Sequence, residues 1–371
     1  MMLTAVSCSD DPEEPAEPEA RRAVLIYMMA DNNLSSFASQ NINDMIRAAN
    51  DGLLGDNLLY IYHDSRDFDH PALKRVTPVG LTVEFDFPVA ISSSDPGRME
   101  EVIAKFKELA PAENYGLILW SHATGWTFSN PESTGAAPLW FGDDKGKNID
   151  IPMLAQILEG KGFDYIYFDC CHMANVESLY ELRHCADVFA GSVTELPSAG
   201  MPYYLTLPYL MAGKADLVAA AKATFDKYNA MTGEDRTCTM SVIKASALDE
   251  LAAATRDFLA TKPALPAGYT GQPYERPKRY NEPCYLFDFK DYMTALHNAN
   301  PSDGADAAYS RLVAALDDAV LYDAATPSVF NSIDINTHCG LSSFILRSLS
   351  DADTKGYRRL AWFSDVASAQ F

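Results

Sequence analysis

The sequence predicts an α/β fold, with a mostly parallel central sheet covered by helices on both faces and a smaller helical C-terminal region. Three observations predict it. Short apolar runs of strand length recur through residues 21–213, amphipathic helical patterns fall between most of them, and from Pro202 onward the pattern turns helical. At 371 residues, 48% of them hydrophobic, the chain is long enough to bury one large core or two smaller ones.

Taken in order, residues 1–20 read "MMLTAVSCSDDPEEPAEPEA", the end of an apolar signal segment, then Cys8, then an acidic, Pro-rich tether that cannot pack. "RRAVLIYMMADNNL" (21–34) is a continuous apolar run suited to a central parallel strand that ends in a polar loop, and a helix follows from about Ser36 to Ala49. Further strands are expected at Leu58–Tyr62, Leu81–Phe87, Leu117–Trp120, Tyr165–Phe168 and Val188–Ala190, with helices at Arg98–Leu109, Pro152–Leu158 and Val176–Leu182. These elements make 21–213 one core unit, and ligands of such sheets bind beyond the carboxyl ends of the strands. In 214–371, "DLVAAAKATFDKYNAM" and "LDELAAATRDFLATK" read as helices flanking a short strand, "CTMSVIKA". A Pro-rich linker at 263–283, helices near Phe287–His297 and Ala305–Leu321, and a last apolar run, "GLSSFIL", complete the fold.

Charge and cysteine usage exclude several classes. With 29 Lys and Arg against 51 Asp and Glu, the net charge of -22 argues against a surface that tracks phosphates, so no nucleic acid is expected. No window reaches the roughly 18 to 20 apolar residues of a membrane span, so membrane contact is expected only through a lipid anchor. Cys8, Cys170, Cys171, Cys185, Cys238, Cys284 and Cys339 form no C-x-x-C pair and no metal ladder, so no metal site is expected.

The chemistry gathers at two strand ends. In "YIYFDCCHMANVESLYELR" (165–183), strand alternation puts Ile166, Phe168 and Cys170 on one face and Tyr167, Asp169 and Cys171 on the other. With Asn175 as a helix cap, Cys171 is expected beside a helix N-terminus, which would lower its thiol pKa. A base is also needed. Of the seven histidines, His122 is the one that closes a strand, in "YGLILWSHATGW", so neighbouring parallel strands would bring His122 and Cys171 to one rim. The residues alone also allow a packed core cysteine and a strand-end histidine bonded to backbone.

His122-x-x-Gly125-Trp126 after an apolar strand, with Asp169-x-Cys171-x-Met173 and Glu177, Tyr180, Glu181 and Leu182, resembles the clostripain family of cysteine peptidases, in the clan of the caspases. "YMMADNNL" (27–34) and "GLSSFIL" (340–346) are similar to that family too, and the 49-residue separation of His122 and Cys171 is of caspase order. The resemblance implies a caspase-like three-layer sandwich, with Cys171 as nucleophile and His122 as general base of an endopeptidase cutting after Arg or Lys through an acyl-enzyme. It also implies oxyanion donors at the N–H groups of Cys171 and Ala123, and a specificity carboxylate at Asp169 with Glu195 on the substrate-side loop "SVTELPSAGMPYY" (192–204). An alternative role for Asp169 is to bond loop N–H groups beneath the nucleophile.

The polar segment 127–150 is expected to be a long loop, and by resemblance it could be cut by the enzyme itself after Lys145 or Lys147. Cys8 resembles the acylated cysteine of Bacteroidetes-type surface lipoproteins, implying an extracytoplasmic, cell-surface location. Protein or peptide substrates bearing Arg or Lys, a monomer and no cofactor are expected, although some relatives are associated with calcium. Ala123 stands where the family has Gly, Cys170 where it has Ala, His172 where it has Leu, and Met201 where it has Trp. A left-handed Ala123 would cost about 1 kcal/mol. These departures keep open a degenerate surface lipoprotein that binds peptide or glycan, or a transferase on the same scaffold.

Overall fold

A computed structural model describes residues 20–126, 140–275, 285–350 and 356–371. Its centre is a nine-stranded sheet. The strands β1 (Ala20–Ala30), β2 (Leu58–Ser65), β3 (Ala72–Thr77), β4 (Gly80–Asp86) and β5 (Ala112–Trp120) come first. A hairpin, β6 (Phe141–Asp144) and β7 (Lys147–Ile149), separates them from β8 (Tyr165–Asp169), β9 (Val188–Gly191) and β10 (Thr239–Lys244). Small pairings, β11 (Leu286–Asp288) with β15 (Ser342–Phe344) and β13 (Ser328–Val329) with β14 (Ile333–Asp334), flank the sheet, whose last strand is β12 (Val320–Ala325). The order is β12-β10-β9-β8-β5-β1-β2-β3-β4, with the five central strands parallel and two antiparallel strands added at each edge.

Helices cover both faces. Strand β1 shows why: Leu25, Tyr27 and Met29 enter one apolar core while Val24, Ile26 and Met28 enter the other, the alternation that a strand buried on both faces requires. The second core is closed by α1 (Ser35–Asn50), α5 (Tyr203–Leu210) and α6 (Leu217–Asn229). The first is closed by α2 (Pro96–Leu109), α3 (Ile151–Leu158), α4 (Val176–Leu182), α7 (Leu248–Leu259), α8 (Phe289–Ala299), α9 (Asp303–Ala319) and α10 (Ala361–Asp365). The expected three-layer α/β sandwich is thus present. No helix among the described residues is long and apolar enough to cross a membrane.

Several local expectations change. Residues 140–149 of the expected loop form the β6–β7 hairpin, while 127–139 lie outside the described residues. The last long helix stops at Ala319, where Val320 begins a β-branched and aromatic stretch that pairs with β10. Strand β3, ALKRVT, carries too little apolar alternation to announce itself and is held by pairing on both sides. Segment 214–371 therefore supplies sheet edge as well as helices.

Candidate active site

Strand register brings the two motifs together. Parallel strands β5 and β8 pair from Gly116↔Tyr165 to Trp120↔Asp169, so His122 and Cys171 each lie two residues beyond the last registered pair. Adjacent strands run about 4.8 Å apart. Cys171 and His122 are both half-buried at this rim. Cys170 turns the other way into the core beside Phe168 and Val176, and burial pushes its thiol pKa up.

The nucleophile turn differs from expectation. Residues 170–175 separate β8 from α4, and the Asn175 carboxamide oxygen already accepts from Ser178 N–H at 2.7 Å, so Cys171 does not sit on the helix terminus. A different network holds the turn. His172 adopts φ 58°, donates its N–H to Thr194 O at 3.0 Å and receives the Asn175 amide on its carbonyl at 2.7 Å. Ala174 N–H donates to Ser192 O, and Leu196 N–H donates to Cys171 Sγ at 3.4 Å. The turn is therefore laced to 192–196, the loop containing buried Glu195. Beneath it Glu177 is fully buried, its Oε1 accepting from Ser343 Oγ, Phe344 N–H and Tyr357 Oη, which ties α4 to the C-terminal "GLSSF" segment.

Asp169 lies on the Cys171 face of β8. Its Oδ1 accepts from Met201 N–H at 2.8 Å and its Oδ2 from Tyr203 Oη at 2.9 Å. Burial pushes its pKa up to about 6, against the lowering pull of these two bonds and of Lys227. Gly200 closes over it with φ 63°, and a Cβ there would meet Oδ1 at 2.8 Å. Met201 itself is buried in the α5–α6 core.

On the histidine side, Ala123 is bridged to Phe141 of β6, while Thr124 N–H donates to Trp140 O and Gly142 N–H to His122 O. In such a pair the middle residue's own N–H points away from its partner strand. Ala123 is absent from the positive-φ residues, so the missing glycine costs no left-handed strain. The motif's glycine is used two residues later. Gly125 turns at φ 91° against Asn175, and Trp126 then packs on Phe344 and Tyr357 at 5.4 and 4.8 Å. His122 Nε2 lies 2.6 Å from Asn33 Oδ1, a partner that no spacing argument singled out because it comes from the β1–α1 turn.

Lys145 and Lys147 are exposed on the β6–β7 hairpin, Lys145 in its turn with φ 55° and its Nζ 2.6 Å from Asp31. Asp31, Asp64 and Asp144 are the buried acids of this rim, and they meet Lys145, Ser93 and Ser92. Among the described residues no group of three or more His, Cys, Asp or Glu is arranged to hold a metal ion. Cys8 lies outside the described residues.

Comparison with known proteins bears on this geometry. The model of the clostripain family matches residues 26–365. No curated protein matches the chain. Among solved structures, an inactive zymogen C11 protease from Parabacteroides distasonis is 28% identical with a TM-score of 0.79, covering 95% of this chain and 99% of that one. A secreted C11 cysteine protease from Bacteroides thetaiotaomicron, in complex with an irreversible peptide inhibitor, is 29% identical with a TM-score of 0.74, covering 93% of this chain and 99% of that one.

Proposed function

The chain belongs to the clostripain family of cysteine peptidases, and on that premise we propose that it is an endopeptidase that cleaves after Arg or Lys, with Cys171 as nucleophile and His122 as base. The observation that carries the reading is the matched position of the two residues, two steps beyond the register pair Trp120↔Asp169 on adjacent parallel strands. The Cys171 proton passes to His122 and the thiolate attacks the scissile carbonyl carbon. The resulting oxyanion takes hydrogen bonds from the N–H groups of Cys171 and Ala123. Collapse expels the amine, which receives the proton from His122, and leaves a thioester. Water, deprotonated by His122, then releases the carboxylate product and restores the thiol.

Asp169 would pair with the substrate cation. With a pKa of about 6 it is ionised near neutral pH, and Met201 N–H and Tyr203 Oη hold it in place while further lone pairs remain for a guanidinium or ammonium. Glu195 would line the same loop, and the net charge of -22 would favour basic substrates. All groups in this cycle belong to the protein, the substrate or water, so chelation by EDTA is expected to leave the rate unchanged.

Self-cleavage after Lys145 or Lys147 would require the β6–β7 pairing to open first, which would make processing slow. We place the protein outside the cytoplasm, anchored through Cys8 and acting as a monomer; the secreted Bacteroides thetaiotaomicron relative supports the location.

The deciding experiment compares wild type and Cys171→Ala on peptide substrates with Arg, Lys or a neutral residue before the cut. Loss of at least about 1,000-fold on the Arg and Lys substrates is expected. Full activity in the variant would sink the assignment, and equal cleavage of neutral substrates would sink the role of Asp169.

A further inference from the structure

We propose that Asn33 is a positioning residue for His122: it holds the imidazole in the tautomer protonated on Nε2, so that Nδ1 is the atom that takes the Cys171 proton. The inference rests on the Cys171–His122 reading above. Its starting point is the 2.6 Å contact between His122 Nε2 and Asn33 Oδ1. A carboxamide oxygen only accepts, so the nitrogen facing it must carry the hydrogen, and the lone pair of the neutral ring is then on Nδ1.

A positioning residue must itself be held, and the turn that carries Asn33 is. The neighbouring Asn32 side chain is buried, donating to Met29 O at 3.0 Å and to Asp143 O at 2.7 Å, while its Oδ1 accepts from Leu34 N–H at 2.9 Å. Ser35 Oγ donates to Ala30 O at 2.6 Å. Ser121, the residue before His122, donates its hydroxyl to Met29 O at 2.9 Å and accepts from Asp143 N–H at 3.0 Å. The ends of β1 and β5 and the β6 hairpin are therefore one hydrogen-bonded unit, and Asn33 and His122 project from it. This gives the "ADNNL" stretch two separate tasks: Asn32 builds the turn and Asn33 points at the base. The arrangement follows the logic of catalytic triads, in which a third group fixes the tautomer and orientation of the histidine and the wrong tautomer loses orders of magnitude in rate. Here the third group is neutral and its residue is exposed, so the expected effect is smaller.

The test uses full-length wild type, Asn33→Ala and Asn33→Asp. Asn33→Ala is expected to lower kcat about 10- to 100-fold with KM changed less than about 2-fold and an unchanged melting temperature. Asn33→Asp keeps an acceptor at the same place, so it is expected to recover most of kcat. Its carboxylate favours the imidazolium, so the limb of the pH profile that belongs to His122 should move to higher pH. Nitrogen-15 NMR of the His122 ring reads the tautomer independently of activity: protonated Nε2 is expected in wild type and a mixture in Asn33→Ala. Wild-type kcat and pH profile in Asn33→Ala, or a wild-type ring protonated on Nδ1, would overturn the proposal. Should Cys171→Ala keep full activity, the dyad reading fails by itself, and the NMR result still decides whether Asn33 sets the ring.

Discussion

Replacing Glu177 by Gln should flatten the pH dependence of stability. Burial pushes the Glu177 carboxyl from 4.5 up to about 7, against the lowering effect of the bonds from Phe344, Ser343 and Tyr357, and its Oε2 has no hydrogen-bond partner among the described residues. Between pH 4.5 and 7 the folded state therefore binds more protons than the unfolded state, so stability falls as pH rises through this window and levels off above it. Moving a carboxyl from 4.5 to about 7 corresponds to roughly 3 kcal/mol of stability lost across the window. For 371 residues the unfolding entropy is about 0.8 kcal/mol per kelvin, which converts this loss to about 4 °C. The Gln variant keeps an acceptor for the three donors and cannot ionise. Thermal melts of Cys171→Ala and of Glu177→Gln in that same background, at pH 4.5 and pH 8, provide the assay. The difference between the two melting temperatures should shift by about 4 °C in favour of Gln on going to pH 8. A difference that stays constant with pH, or that moves the other way, would refute the reasoning.

Three further outcomes are expected. Tyr203→Phe removes a donor that lowers the Asp169 pKa, so the fall in kcat/KM for Arg and Lys substrates, expected near pH 6 in wild type, should start at higher pH; a pH–rate profile with an unmoved acid limb would count against Asp169 as the specificity group. Gly200→Ala forces a left-handed alanine whose Cβ meets Asp169 Oδ1, and should cost about 1–3 kcal/mol by denaturant titration while weakening Lys and Arg preference. Cys170→Ala trims a core side chain and should lower stability by about 1 kcal/mol, leaving hydrolysis and the rate of thiol labelling at Cys171 unchanged; labelling that disappears with Cys170 would reverse the assignment of the two cysteines.

How far the sequence reads depends on the range of each signal. The opposite facing of Cys170 and Cys171 is what the period of a strand predicts, and Cys170 does enter one core with Ile166 and Phe168 while Tyr165 and Tyr167 enter the other. His122 was legible because an apolar run ends at it. The helix-terminus environment expected for Cys171 was wrong, because hydrophobic periodicity locates α4 but says nothing of the turn 170–175, whose shape is fixed by bonds to Ser192, Thr194 and Leu196. The cost expected at Ala123 was also misplaced: sequence identifies the residue, and only the bridge to Phe141 shows which conformation it must adopt.

By itself, then, the sequence determined the alternation of strands and helices, the buried faces, and the two strand ends that carry thiol and imidazole. Each of these is written in residues a few positions apart and driven by burial of one face. Only the tertiary structure decided that β5 and β8 are neighbours, that Asn33 reaches His122 from the β1–α1 turn, and that Tyr203 and Glu177 tie the site to segments far along the chain. Those contacts join positions separated by 34 to 180 residues, and a polar side chain does not announce in its local pattern which distant partner will satisfy it.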